Sequence, residues 1–207
     1  MALNAQKVAD FLIDGLAAGL QERGQARLIV SGGSSPVPVF ESLRQTDFPW
    51  NKVIISLVDE RGVPASHADS NHKLINDTLL MDKAAAASFV PLFDNEAAQE
   101  EIGQPLDAML LGMGTDGHFA SLFPAMIGDE IAFSLDAKPQ IIKTAPLGNP
   151  VHPRISMNMS MICDCAHICL ILPSAEKIAL FEQAKTDASL PIHHLYQNLA
   201  TKLVVFS

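Results

Sequence analysis

Asp116 and His118 are the residues whose types and spacing point most directly to chemistry. They follow an apolar run, Leu106 to Leu111, that predicts a buried strand, and three glycines are interleaved with them. Glycine admits positive φ and a close approach of a ligand to the backbone, and open α/β sheets bind ligands where their strands end. An imidazole there can take a proton from water near neutral pH. A capped turn with a surface histidine is the alternative.

The turn Ser31 to Ser35 is a second candidate site, with Gly32 and Gly33 followed by Ser34 and Ser35. It lies between a short apolar run and a helical pattern. Backbone N–H groups and hydroxyls at a helix N-terminus can bind a phosphoryl group without any net positive charge. The spacing is not that of the GxxxxGK[ST] loop, and a simple turn is the alternative.

Three cations complete the set. Arg61 follows Asp59 and Glu60 where a β-branched run ends, whereas Arg154 follows a proline-rich stretch and Lys177 lies one turn into a predicted helix. A guanidinium can bind phosphate bidentately or donate to an oxygen that gains negative charge. Each of the three could instead be a solvated or salt-bridged side chain.

Four segments, taken together, resemble the signatures of the 6-phosphogluconolactonases, within the superfamily that also holds the glucosamine-6-phosphate deaminases and isomerases. They occur in the family's order between about residue 28 and about residue 180. The segments are Val30 to Pro36, Asp59 to Pro64 with Ser70-Asn71, Leu110 to Pro124, and Arg154 to Met157 with Lys177.

The resemblance implies a hydrolase that opens 6-phospho-D-glucono-1,5-lactone, in the pentose phosphate or the Entner-Doudoroff pathway. It implies that His118 is the general base toward water and that Asp116 orients or charges the imidazole. Arg61 would line the substrate pocket, with its side chain held by Asp59 and Glu60. The substrate's phosphate would be bound by the glycine turn with Arg154 and Lys177. Neither a cofactor nor a metal is expected.

Two other functions compete with this one. A glucosamine-6-phosphate deaminase would share the glycine turn and the Asp-Gly-His element. The deaminases usually have an aromatic residue where this chain has Arg61, and a glutamate within the segment where this chain reads Ala120 to Pro124. A non-catalytic sugar-phosphate sensor would keep the pocket, but His118 is intact and such sensors usually carry an added DNA-binding domain.

The elements that must position these residues alternate between strands and helices. This order predicts an α/β three-layer sandwich on a mostly parallel, Rossmann-like sheet, in a single domain over residues 1–207. Strands are predicted at 27–30, 53–58, 88–93, 106–111, 141–145, 168–172 and 202–206. Helices are predicted at 3–20, 37–43, from an N-cap at Ser70 to about 81, at 96–102, from Pro173-Ser174 through Phe181, and at 191–198. The prolines at 146, 150 and 153 indicate a loop before Arg154.

Composition narrows the function classes. In 207 residues, 48% hydrophobic, 23 acidic residues against 14 Lys and Arg give a net charge of −9. This charge repels nucleic-acid backbones, so an anionic substrate needs a local basic cluster. No apolar run reaches the ~20 residues of a membrane span, and no secretory leader is evident, which predicts a cytoplasmic protein without membrane partners. A monomer or a small homo-oligomer is equally compatible with the sequence.

The three cysteines, Cys163, Cys165 and Cys169, lie within seven residues. They are too close together for the usual disulfide framework and predict reduced thiols in a core. His167 lies among them, so a metal site is conceivable. The apolar neighbours favour buried packing instead.

Overall fold

The computed structural model describes residues 3–92, 96–199 and 201–207. Within these residues the chain forms strands and helices in alternation. The strands are β1 Ala26–Val30, β2 Val53–Leu57, β3 Asp59–Arg61, β4 Ser88–Phe89, β5 Ala108–Leu111, β6 Ile141–Leu147, β7 His152–Met157, β8 His167–Ile171 and β9 Leu203–Phe206. The helices are α1 Ala5–Arg23, α2 Val37–Gln45, α3 Asn71–Thr78, α4 Glu96–Ile102, α5 Glu130–Phe133, α6 Met159–Cys163, α7 Ala175–Ala184 and α8 Pro191–Leu199.

Six strands form a parallel sheet in the order β4-β2-β1-β5-β8-β9. Helices flank this sheet, and one cluster of buried hydrophobic side chains extends through it. Because both faces are covered, its central strands read as continuous apolar runs, as in Leu28 to Val30 and Ala108 to Leu111. The predicted α/β sandwich on a mostly parallel sheet is confirmed.

The strand order reverses between β1 and β5, which is the switch point at which such sheets open a crevice. The chain enters the glycine turn directly after β1 and the Asp-Gly-His stretch after β5. Ser31 joins the two ends, since its Oγ accepts a hydrogen bond from Gly112 N at 3.2 Å and its N–H donates to Leu110 O at 2.9 Å. The topology thus brings the two segments together.

A second, antiparallel sheet has the order β3-β7-β6. Here the predicted loop before Arg154 is shorter than expected, because Arg154 lies within β7 and only the turn at 148–151 separates β6 from β7. The prolines suggested a loop, but Pro146 lies in an edge strand and Pro153 at the second position of β7, near the strand start. A sheet tolerates a residue without an N–H group on edge strands, at strand starts and at bulges, and the register of β6 also shifts between Thr144 and Leu147.

Smaller differences concern element ends. Ser70 caps α3, with its Oγ accepting from Lys73 N, but the helix ends at Thr78, before its predicted end at about 81, and a separate 3-10 turn follows at Asp82–Ala86. Strand β4 has only two residues, and Phe93, the last residue of the predicted strand, lies outside the described residues. The short helices α5 and α6 were not predicted.

Candidate active site

A cleft of about 270 Å³ opens at the carboxyl ends of β1 and β5. Of the ten residues predicted for the site, Asp116 does not line the cleft but hydrogen-bonds to one that does. The other nine line it together: Gly32, Gly33, Ser34, Ser35, Asp59, Arg61, His118, Arg154 and Lys177.

His118 and Asp116 form a hydrogen-bonded pair at the cleft wall. The distance from His118 Nδ1 to Asp116 Oδ1 is 2.5 Å, and the same oxygen accepts from His118 N at 3.2 Å. Partial burial raises the pKa of Asp116, but the bond from the His118 ring and the charge of that ring outweigh this effect, so the pKa lies below its usual value. A carboxylate at Nδ1 leaves Nε2 as the nitrogen that can accept a proton.

The loop around the pair holds the imidazole from two sides. The ring packs on Phe123 with 4.7 Å between centroids. On the other side a Cβ at position 114 would collide with the ring, so Gly114 allows the ring to lie against the backbone. Gly114 N also donates to His118 O at 2.8 Å. The imidazole is therefore positioned by packing as well as by Asp116.

The glycine turn and Lys177 form another part of the cleft wall. Lys177 reaches the turn from α7, with Nζ 3.4 Å from Ser35 Oγ. Burial lowers the pKa of Lys177, because few groups near it replace the water lost by the ammonium. Serine hydroxyls, backbone N–H groups and an ammonium are groups of the kind that can bind a phosphoryl group.

Arg61 and Arg154 are direct neighbours across the β3–β7 pair. Like charges placed opposite each other destabilise a sheet. Arg154 is 4% exposed. Burial lowers the pKa of its guanidinium, the Asp59 carboxylate opposes that shift, and the charge of Arg61 adds to it. An arginine remains charged nonetheless, so the two strands bring concentrated positive charge to the cleft.

The predicted contacts of Arg61 differ from the observed ones. Its Nη1 donates to Asp69 O at 2.6 Å, and the expectation that Asp59 and Glu60 hold its guanidinium is wrong. Asp59 instead accepts from Ser121 Oγ at 2.6 Å and lies 3.8 Å from Arg154 Nη1. Alternating side chains of a strand point to opposite faces, so adjacent acids cannot both serve the same partner.

Glu60 caps the N-terminus of α3. Its two carboxylate oxygens accept from Ser70 Oγ and from the backbone N–H groups of Asn71 and His72, at 3.1, 2.8 and 2.7 Å, and from Arg61 N at 2.6 Å. A carboxylate among the first N–H groups of a helix satisfies donors that have no helical partner. Glu60 thereby fixes the backbone on both sides of the segment that carries Arg61.

Sequence reasoning assigned no role to four residues that matter here. Asn71 and Asn149 line the cleft, Ser121 holds Asp59, and Phe123 lies against both His118 and Arg154, whose Cζ is 5.3 Å from the ring centroid. Asn71, Ser121 and Phe123 lie in the segments compared with the family. Their types alone gave no signal, because packing and hydrogen bonds to other segments define their roles.

The cysteines form neither a disulfide nor a metal site in the part of the chain that the structure describes. No group of three or more His, Cys, Asp or Glu side chains there could hold a metal ion. The three thiols are free, and burial raises the pKa of Cys163 and Cys165 to about 12 and that of Cys169 further. They are therefore protonated thiols that pack in the core.

Fold and cleft agree with one family of sugar-phosphate enzymes. The family model described as glucosamine-6-phosphate isomerases/6-phosphogluconolactonase matches residues 2–205. The chain belongs to this family.

Three relatives show how the match is distributed. The 6-phosphogluconolactonase of Neisseria meningitidis serogroup A is 39% identical over 193 residues, covering 87% of this chain and 83% of the relative. The 6-phosphogluconolactonase of Rhizobium meliloti is 36% identical over an alignment of 217 residues, which covers 98% of this chain and 93% of the relative. The crystal structure of a 6-phosphogluconolactonase from Shewanella baltica superposes with a TM-score of 0.85 at 31% identity, covering 97% of this chain and 91% of that one. The likeness therefore extends over nearly the whole chain.

Helices long and apolar enough to cross a membrane are absent from the described residues.

Proposed function

We propose that this chain is a 6-phosphogluconolactonase that hydrolyses 6-phospho-D-glucono-1,5-lactone to 6-phosphogluconate, with His118 as the general base. One observation carries the proposal: an imidazole that is hydrogen-bonded to a carboxylate lines the same cleft as two guanidinium groups, an ammonium and a glycine turn. The named relatives are lactonases of the same family.

The phosphate would be bound at the glycine turn, where Lys177 meets Ser35. Arg154 would add charge from the neighbouring strand. Binding energy at this end would place the lactone carbonyl near His118, so that contacts remote from the reacting bond contribute to the rate.

At the other end, His118 Nε2 would take a proton from water as the water oxygen attacks C1. The C1 oxygen then becomes an oxyanion, and Arg61 or backbone N–H groups would donate to it. When the tetrahedral intermediate collapses, the bond from C1 to the ring oxygen breaks, and the imidazolium returns its proton to that oxygen. The products are a carboxylic acid, which ionises, and a free hydroxyl group. Asp116 would stabilise the imidazolium.

Details of the loop favour lactone hydrolysis over deamination. Arg61 lies in the cleft where the deaminases usually have an aromatic residue. The segment Ala120 to Pro124 supplies Ser121 and Phe123 to the supporting network and contains no glutamate.

The test is a coupled assay of lactone decay with and without the protein, using freshly generated lactone because this lactone also opens unaided. Catalysed decay that is lost in His118→Ala would support the proposal. Decay at the uncatalysed rate would contradict it, and ammonia release from glucosamine 6-phosphate would assign the chain to the deaminases.

Other properties are predictions that accompany this function. We expect a cytoplasmic protein, monomeric or a small homo-oligomer, that binds a sugar-phosphate lactone and not nucleic acid. No cofactor is needed for the steps given above.

A further inference from the structure

Asn71 connects the segment after β3 with the glycine turn. It is 1% exposed and lines the cleft. Its backbone N–H donates to Glu60 Oε1 at 2.8 Å, and its Nδ2 donates to Asp59 O at 2.9 Å. Two hydrogen bonds to one short strand therefore fix both the backbone and the side chain of this residue.

The carboxamide of Asn71 lies directly against Gly32. A Cβ at position 32 would collide with the oxygen, the carbon and the nitrogen of this amide. Among the described residues, none donates a hydrogen bond to Asn71 Oδ1. A buried carbonyl oxygen without a donor is unfavourable. The contact between this oxygen and Gly32 is therefore one of packing and not a hydrogen bond.

The two glycines of the turn are required for different reasons. Gly33 has φ +84°, which a side chain rarely adopts, yet a Cβ there would meet no atom within 4 Å. Gly32 is not among the residues with positive φ. The backbone at 32 would accept alanine, and the amide of Asn71 is what excludes it.

We infer that Asn71 is a positioning residue whose carboxamide sets the distance between the glycine turn and strand β3. Through that distance it sets the spacing between the phosphate-binding N–H groups and the cations on β3 and β7. The inference rests on the proposed function for its substrate. Because Asn71 would act on the phosphate end, its loss should affect KM more than kcat.

A double-mutant cycle tests this contact. The four proteins are wild type, Gly32→Ala, Asn71→Ala and the double variant. The measurements are kcat and KM with fresh lactone, and the Kd for 6-phosphogluconate by calorimetry. Gly32→Ala and Asn71→Ala should each raise KM and Kd about tenfold and change kcat less than about threefold. In the double variant the alanine methyl would occupy space vacated by the amide, so it should bind at least about threefold more tightly than Gly32→Ala alone.

Gly33→Ala provides the matched control. Its defect should come from backbone strain, so adding Asn71→Ala should give no relief. Wild-type binding by Gly32→Ala, or relief that is equal at positions 32 and 33, would overturn the inference.

One further readout, hydrogen exchange, and a comparison of the kinetic and binding results separate the possible failures. Hydrogen exchange should be faster in Asn71→Ala for residues 31–36 and unchanged for strand β8, and this holds even where Gly32→Ala does not fold. Unchanged exchange at 31–36 would overturn the inference.

If wild type leaves the lactone intact while the cycle is still non-additive for 6-phosphogluconate, the proposed function fails and the positioning role stands. If wild type hydrolyses the lactone and the cycle is additive, the positioning role fails alone.

Discussion

Two sets of charged side chains in the cleft are held in different ways. His118 and Asp116 lie on a turn after β5, with 26% and 47% of their side chains exposed. Arg154 lies inside a strand with its side chain 3% exposed, and it donates to the carbonyl oxygens of Leu147 and Pro150 while facing Asp59. A group that exchanges protons with water needs access to water. A group that binds a fixed anion gains from a rigid, water-poor setting, where its charge acts more strongly.

The largest expected effect is at the exposed pair, His118 and Asp116. His118→Ala should lower kcat about 10²- to 10⁴-fold, because it removes the general base, and should change KM little. Asp116→Asn should lower kcat by a smaller factor, since Phe123 and Gly114 also hold the His118 ring in place. Steady-state kinetics on fresh lactone measures both. His194→Ala, on α8 outside the cleft, is the control, and unchanged turnover in His118→Ala would refute the proposed base.

At the buried cation, Arg154→Ala should mainly raise KM, about 10- to 100-fold, since a hydrogen bond to a charged group contributes about 1.5–3 kcal/mol. It should also narrow the preference for the phosphorylated lactone over plain gluconolactone. The melting temperature should fall, because Asp59 would be left buried without this cation. Arg44→Ala, which removes an arginine paired with Asp82 away from the cleft, is the control. A loss confined to kcat would move Arg154 from the phosphate to the oxyanion.

The smallest expected effect concerns Lys177 and pH. Its lowered pKa means that the ammonium loses its proton at a lower pH than an ordinary lysine does. Affinity for 6-phosphogluconate should therefore weaken as pH rises through that lowered value. Lys177→Arg should move this loss to higher pH, because a guanidinium stays charged. Calorimetric titrations at several pH values check this, with Lys185→Arg as control. An identical pH dependence in wild type and Lys177→Arg would show that another group titrates.

Sequence reasoning worked best where one local pattern decides the structure. The apolar runs before Ser31 and Gly112 are buried on both faces of the sheet, and strand pairing brings their ends together. Once the alternation of strands and helices predicts a parallel sheet, the position of the cleft follows. Both the glycine turn and the Asp-Gly-His stretch could therefore be assigned to one edge.

Sequence reasoning failed where contacts between segments that are distant in the chain decide the structure. The strand Asp59–Arg61 has three charged residues and no apolar pattern, and it exists because β7 pairs with it. The β6–β7 hairpin was not predicted, because its three prolines are residues typical of a loop. The partners of Asp59 and Glu60 could not be inferred either, since Ser121 and the start of α3 reach them only in the folded chain.

The side-by-side placement of Arg61 and Arg154 has a consequence for the unliganded protein. Two guanidinium groups on paired strands repel each other, so the small sheet is least stable when the cleft holds no anion. A dianionic sugar phosphate would neutralise this repulsion and would thereby stabilise the pairing of β3 with β7. Ligand-induced thermal stabilisation should therefore be greatest for phosphorylated compounds and should persist in variants that have lost turnover.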